Sequence, residues 1–188
     1  MKTFSQLFQL CIVASFLFIG CTPNNSAPLP TSSTPVETPM EKTEAKALWT
    51  YTEKADPMTG EKRYFSSCVS TNEIQFEFPY NGGSTFMLIV RNMGKKNEVL
   101  LQVSKGQFIP SIGSNETVRV KFDDAAPTQF AYSSTSDGSA DVIFIENATK
   151  FITQLKQSKK LMIEAKFFEA GNEIIYFDVA GLQWDKAL

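Results

Sequence analysis

Among the 188 residues there is no histidine. That absence removes every Ser-His-Asp or Cys-His catalytic unit, every imidazole metal ligand and the imidazole pH switch. Cysteine is scarce, with three residues. Cys11 and Cys21 fall within and just after an N-terminal apolar segment, so Cys68 is the only thiol in the body of the chain. With Cys21 modified, no intrachain disulfide is available, and stability has to come from packing. An excess of positive charge is missing too: 18 Lys and Arg face 20 Asp and Glu, for a net charge of -2. Phosphate binding needs a basic stripe, so nucleic acid is not expected as a partner. The chain has no phosphate loop, no dinucleotide fingerprint and no Gly-x-Ser-x-Gly elbow. No EF-hand spacing of acidic residues is found. No cofactor, metal or catalytic residue is expected on these grounds.

Phenylalanine, by contrast, is abundant, with 16 residues. Each buried aromatic removes about 150–250 Å² from water, so a substantial core is within reach of one domain. The N-terminus reads as a signal peptide over residues 1–20. Lys2 supplies the positive start, and Leu7 to Ile19 is apolar except for Gln9 and Ser15. A membrane-spanning helix needs about 20 such residues, so this stretch is too short for one.

The stretch ends Phe18-Ile19-Gly20-Cys21. These four residues resemble the lipobox of bacterial lipoproteins, with Phe18 where that family favours Leu. The resemblance implies cleavage between Gly20 and Cys21, a diacylglyceryl group on the Cys21 sulfur and an acyl chain on its new amino group. Two or more chains are what stable membrane anchoring requires. Thr22 stands where Asp would favour the inner membrane, which points to the outer membrane, facing the periplasm or the cell surface. Residues 21–46 form the lipidated cysteine and its tether. Five of the nine prolines lie here among Ser and Thr. Such a composition buries too little apolar surface to offset chain entropy. Fully extended, its 25 residues after Cys21 would span roughly 78 Å.

From residue 47 the texture changes to short strands. Glu73–Phe78 and Thr117–Phe122 alternate polar and apolar residues, the mark of a half-buried strand. Phe86–Val90 is continuously apolar and Val99–Val103 is similar, broken only by Gln102, and both predict central strands. Further strands are expected at Trp49–Glu53, Lys62–Ser70, Thr128–Tyr132, Asp141–Ile145, Leu161–Phe168 and Glu173–Ala180. Turn residues separate them at Asp56–Gly60, Pro79–Gly83, Ile112–Asn115, Ser136–Gly138 and Ala170–Asn172. Between Asn147 and Lys160, the residues Ala148, Phe151, Ile152 and Leu155 trace one face of an amphipathic helix. Asn147 is its expected N-cap. The fold class is therefore mainly β: an antiparallel sandwich or open barrel of about nine strands over residues 47–188, with one C-terminal helix covering an open end or edge.

Three groups of residues invite a chemical reading. Asp123, Asp124 and Glu146 are carboxylates able in principle to form a hydrolytic pair about 5–9.5 Å apart, but acids before Ala-Ala-Pro ordinarily hold a turn. Cys68 lacks a histidine base and reads as an inert core thiol. Tyr51, Tyr64, Tyr80, Tyr132 and Trp184 offer either a recognition face or the margin of the core.

Val118–Asp123, the helix with Phe151, Ile152 and Leu155, and a strand pair ending Phe177–Leu182 follow an order that resembles small envelope proteins associated with type VI secretion. Trp49 fits the start of that pattern. The resemblance covers about half of the folded part and implies a β-rich envelope accessory domain; the cysteines with which that family can form disulfides are missing here. The expected function is a non-catalytic envelope lipoprotein that binds a protein or another envelope ligand. Its partner through Cys21 is the membrane. Rival readings are an immunity or phage- or toxin-exclusion factor and a carboxylate-dependent envelope hydrolase.

Overall fold

A computed structural model describes residues 48–110 and 116–186. The signal peptide expected over 1–20, the tether over 21–46 and the turn at Ile112–Asn115 lie outside the described residues. Nine strands and one helix follow in chain order: β1 (Thr50–Ala55), β2 (Lys62–Val69), β3 (Phe86–Asn92), β4 (Asn97–Val103), β5 (Thr117–Phe122), β6 (Thr128–Ser134), β7 (Val142–Ile145), α1 (Ala148–Leu155), β8 (Lys160–Phe167) and β9 (Gly171–Asp178). All pairings are antiparallel and make one sheet in the order β1-β2-β3-β4-β7-β6-β5-β8-β9. The sheet is mainly β architecture of the expected kind, and it is not closed into a barrel.

The sheet folds over on itself at β6. Thr128–Ala131 pair with β5, whereas Tyr132–Ser134 pair with β7. A strand that changes partner along its length is how a sandwich turns a corner. On one side of that corner lie β1, β2, β3, β4 and β7; on the other lie β5, β8 and β9. Strands β5, β6 and β7 run as a meander and β8 returns beside β5, which is Greek-key connectivity. The alternating residues of both layers point into one core. Leu88, Val90, Val99, Leu101, Ile143 and Ile145 come from one side, and Val118, Val120, Leu161, Ile163, Ile175 and Phe177 from the other; all are buried in a single cluster.

The continuous apolar runs have a simple origin. β3 and β4 lie inside the sheet with a strand on each flank, and on their outward face Leu100 is buried and Ile89 half-buried. Ile89 sits between Ser67 and Leu100, and Leu100 between Ile89 and Phe144. Above this row the Arg91 guanidinium lies 5.1 Å from the centre of the Phe144 ring and its Nε is 2.8 Å from Glu98 Oε2. A long charged side chain thus shields outward apolar surface while its head stays wet.

The helix lies where its stripe requires. Phe151, Ile152 and Leu155 are fully buried. The Phe151 ring packs 5.2 Å from both Phe122 and Phe130, so α1 closes the end of the layers where β5 stops and β8 begins. Asn147 is the N-cap by position, but its backbone is left-handed at φ 55° and no side-chain hydrogen bond is made to the helix. The expected cap is therefore a corner residue, tolerated because Asn enters the left-handed region more readily than most.

One predicted strand is corrected. Glu73–Phe78 is not a strand. Only Ile74 is bridged, to Ser84, and Glu77–Tyr80 close a turn through the Tyr80 N–H and the Glu77 carbonyl. The alternation reports sidedness at Ile74 and Phe76, which are buried while their neighbours are not, and fails at Phe78, which is exposed. It does not report whether a ladder partner exists, and Pro79 has no N–H to continue one.

Candidate binding site

Of the residues singled out in the sequence, Gly20 and Cys21 lie outside the described residues. Cys68 is in β2 and only 2% exposed. Burial, with a smaller contribution from the Asp178 charge, pushes its thiol up to about 11. Its Sγ donates to the Asp178 carbonyl at 3.3 Å. At neutral pH it is a protonated, enclosed thiol, which is the core role expected of it.

Asp123 has a structural task. Its Oδ1 accepts the backbone N–H groups of Lys160 at 2.8 Å and Lys159 at 3.0 Å. Those two bonds hold its carboxyl below the usual carboxylate range. The acid thus fastens the β5–β6 turn to the start of β8. Asp124 and Glu146 are exposed. Among the described residues, no group of three or more Cys, Asp or Glu side chains is arranged to hold a metal ion.

The tyrosines do not form one face. Tyr132 is buried and donates from its hydroxyl to the Ile109 carbonyl at 2.8 Å. Tyr51, Tyr64 and Trp184 do converge, around a hollow of about 330 Å³ between β1, β2 and the C-terminal segment. Its groups are already engaged with each other. The Lys186 ammonium lies 4.0 Å from the centre of the Tyr64 ring, the Trp184 Nε1 donates to Asn97 Oδ1 at 3.3 Å, and the Tyr51 hydroxyl accepts from the Gln183 N–H at 2.8 Å. These contacts fasten the C-terminal segment. A wider concavity of about 1110 Å³ runs along β4, β7 and the start of α1 and collects Ser133, Ser136 and Glu146. Its charges are of both signs: Lys96 is 3.4 Å from Glu98, and the Lys150 ammonium lies 5.3 Å from the Phe130 ring centre.

A third cleft, of about 470 Å³, is different. It lies at the end of the layers away from α1, between the β2–β3 connection and the β8–β9 turn. Its floor belongs to an aromatic cluster. The Phe167 ring is 4.7 Å from Phe108, 5.1 Å from Phe76 and 5.6 Å from Phe86. Phe76 in turn covers Gly106, where an added Cβ would meet its Cε2 at 2.7 Å. The walls carry Phe78 and Phe168, which are 82% and 53% exposed. They are the two exposed phenylalanines among the described residues, and both are here. Leaving such a ring in water forgoes about 1.5–3 kcal/mol of burial. Apolar surface gathered at a concavity, in contrast to single exposed side chains, is characteristic of a docking site.

No family model, curated protein or solved structure matches this chain.

The function must then be argued from the surfaces themselves. Sequence reasoning listed Tyr80 as an aromatic candidate, and Tyr80 lines the third cleft. It missed Phe78 and Phe168. The available signal was their setting: each follows a core-facing Phe or alternation at a turn, where a side chain beyond the end of the ladder has no inner face to occupy.

Proposed function

We propose that the protein is a lipid-anchored bacterial envelope protein that acts by binding a partner and does not catalyse a reaction. The anchor rests on Phe18-Ile19-Gly20-Cys21 and the Pro/Ser/Thr-rich segment after it. The binding role rests on one observation, the cleft at which Phe78 and Phe168 are held exposed over a fixed aromatic floor. The residues with nucleophilic or acid–base potential favour the same reading. Cys68 is enclosed and protonated, and Asp123 is committed to backbone N–H groups.

Two measurements test this. Cys21→Ser is expected to abolish incorporation of labelled fatty acid and to stop processing of the precursor; persistent label in that variant would refute the anchor. A photoreactive amino acid placed in the full chain at Phe168, Tyr51 or Lys95 is expected to form a discrete crosslink to an envelope component from at least one position. Silence at all three removes the binding role.

A further inference from the structure

The third cleft carries charge of one sign. Glu77, Glu169 and Glu173 line it, and no lysine or arginine does. Several carboxylates elsewhere do meet a cation at short range, among them Asp56 with Arg63, Glu98 with Arg91 and Glu164 with Arg119. None of the three cleft glutamates forms an ion pair among the described residues. The nearby Lys105 is turned to the loop backbone, donating to the carbonyls of Asn81 and Gly82 at 3.0 and 2.9 Å. Exposed aromatic faces and unmatched carboxylates therefore occupy one concave surface.

We propose that this cleft binds a basic peptide segment of a partner protein. The inference rests on the binding role proposed above and specifies its chemistry. Aromatic faces attract cations, and more strongly as the site is desolvated. Lysine and arginine also bring methylene stems that cover apolar rings while the charged head reaches a carboxylate. Glu77 stands on one wall, and Glu169 and Glu173 on the other, which suits several cations spaced along a chain better than one point charge. Gln75 and Gln107 add amide groups able to meet a peptide backbone. The floor is already packed: Phe76 is confined between Gly106 and Phe167, and the Phe168 N–H is bonded to the Gln107 carbonyl at 2.9 Å. A preformed floor reduces the ordering cost of docking.

The test uses the full-length lipidated protein in an uncharged detergent. The probe is a fluorescein-labelled peptide alternating lysine and leucine, followed by anisotropy, with a glutamate-for-lysine counterpart. Saturable binding of the basic peptide alone is expected, weakening as salt is raised. Phe78→Ser with Phe168→Ser is expected to weaken it by about tenfold or more, and Glu77→Gln with Glu173→Gln by about tenfold. Glu77, Phe78 and Phe168 are exposed and Glu173 is half-buried, and an unchanged far-UV spectrum checks that the fold persists; the Glu→Gln pair decides the matter if the Phe pair does not fold.

Equal binding of the acidic peptide, or affinity indifferent to both pairs, overturns the proposal. So does displacement of the peptide by tetramethylammonium at the peptide's own affinity, which would make this a small-cation site. A dimer that dissociates in the Phe78→Ser/Phe168→Ser variant would assign the cleft to a second copy and overturn it as well. If crosslinks form from Tyr51 or Lys95 while no basic peptide binds, the inference about this cleft fails and the binding role stands.

Discussion

At the residue scale, polar side chains in this domain tie backbone together. Asp123 is the clearest case, because one carboxylate oxygen receives two N–H groups from the start of β8. Asp56 and Asp137 do the same at their own turns, and each is held below the ordinary carboxylate range by the N–H groups it accepts. A carboxylate whose folded pKa is lowered binds fewer protons folded than unfolded. Its stabilising contribution is present above the unfolded value and is lost as pH falls through the folded one. The domain should therefore lose stability below about pH 4, where free carboxylates begin to protonate. Asp123→Asn keeps an acceptor oxygen and tolerates the left-handed backbone at φ 46°. It is expected to be less stable than wild type at pH 7 and to show a shallower acid dependence, so that the two converge near pH 2. Urea denaturation across that range measures this; parallel curves would mean that the charge at Asp123 contributes nothing.

At the scale of single elements, α1 shows packing prevailing over local signals. With eight residues it is too short to persist alone in water. Its first turn carries no acidic residue and its N-cap makes no side-chain bond. What holds it is the burial of Phe151, Ile152 and Leu155. Asn147 then matters for its backbone and not for its amide. Serine is a good capping residue but a poor left-handed one, and glycine is the reverse. Asn147→Ser is accordingly expected to cost about 1 kcal/mol, whereas Asn147→Gly stays within a few tenths of wild type. Thermal melts of the two variants separate the roles, since a side-chain cap would give the opposite order. Glu73–Phe78 makes the complementary point: its alternation is that of a strand, yet without a continuous partner it remains a connection that places Phe76 in the core and Phe78 outside.

At the scale of the whole folded unit, the two ends of the open sheet are fastened without being hydrogen-bonded strand to strand. Trp49, just before β1, is 5% exposed, and its Nε1 donates to the Val179 carbonyl, just after β9, at 3.0 Å. The Thr71 N–H reaches the Tyr176 carbonyl at 2.8 Å, and the Asn72 side-chain amide reaches the Ile174 carbonyl at 2.9 Å. These bonds cover much of the outer edge of β9, which would otherwise offer unpaired groups to another chain. Trp49→Phe keeps an aromatic ring but leaves the Val179 carbonyl without this donor. The expected loss is about 1–3 kcal/mol in chemical denaturation. A loss close to zero would show that water or a neighbouring group satisfies the carbonyl, and that the tie is not part of what holds the layers together.

The sequence by itself determined the class of the fold and the sidedness of nearly every element. Alternation and turn residues are local properties, so all nine strands, the helix and the inert placement of Cys68 were legible from neighbouring residues alone, with Glu73–Phe78 as the one strand too many. The strands that are apolar on both faces also announced their central place. What only the tertiary structure decided were the relations between distant segments. These are the partner change along β6, the use of Asp123 by residues 36 and 37 positions away, and the approach of Phe78 to Phe168 at one end of the layers. None has a periodicity to read, because each depends on which strand end meets which connection. The cleft is therefore invisible in the chain as written, even though every side chain that lines it is an ordinary turn or strand-end residue.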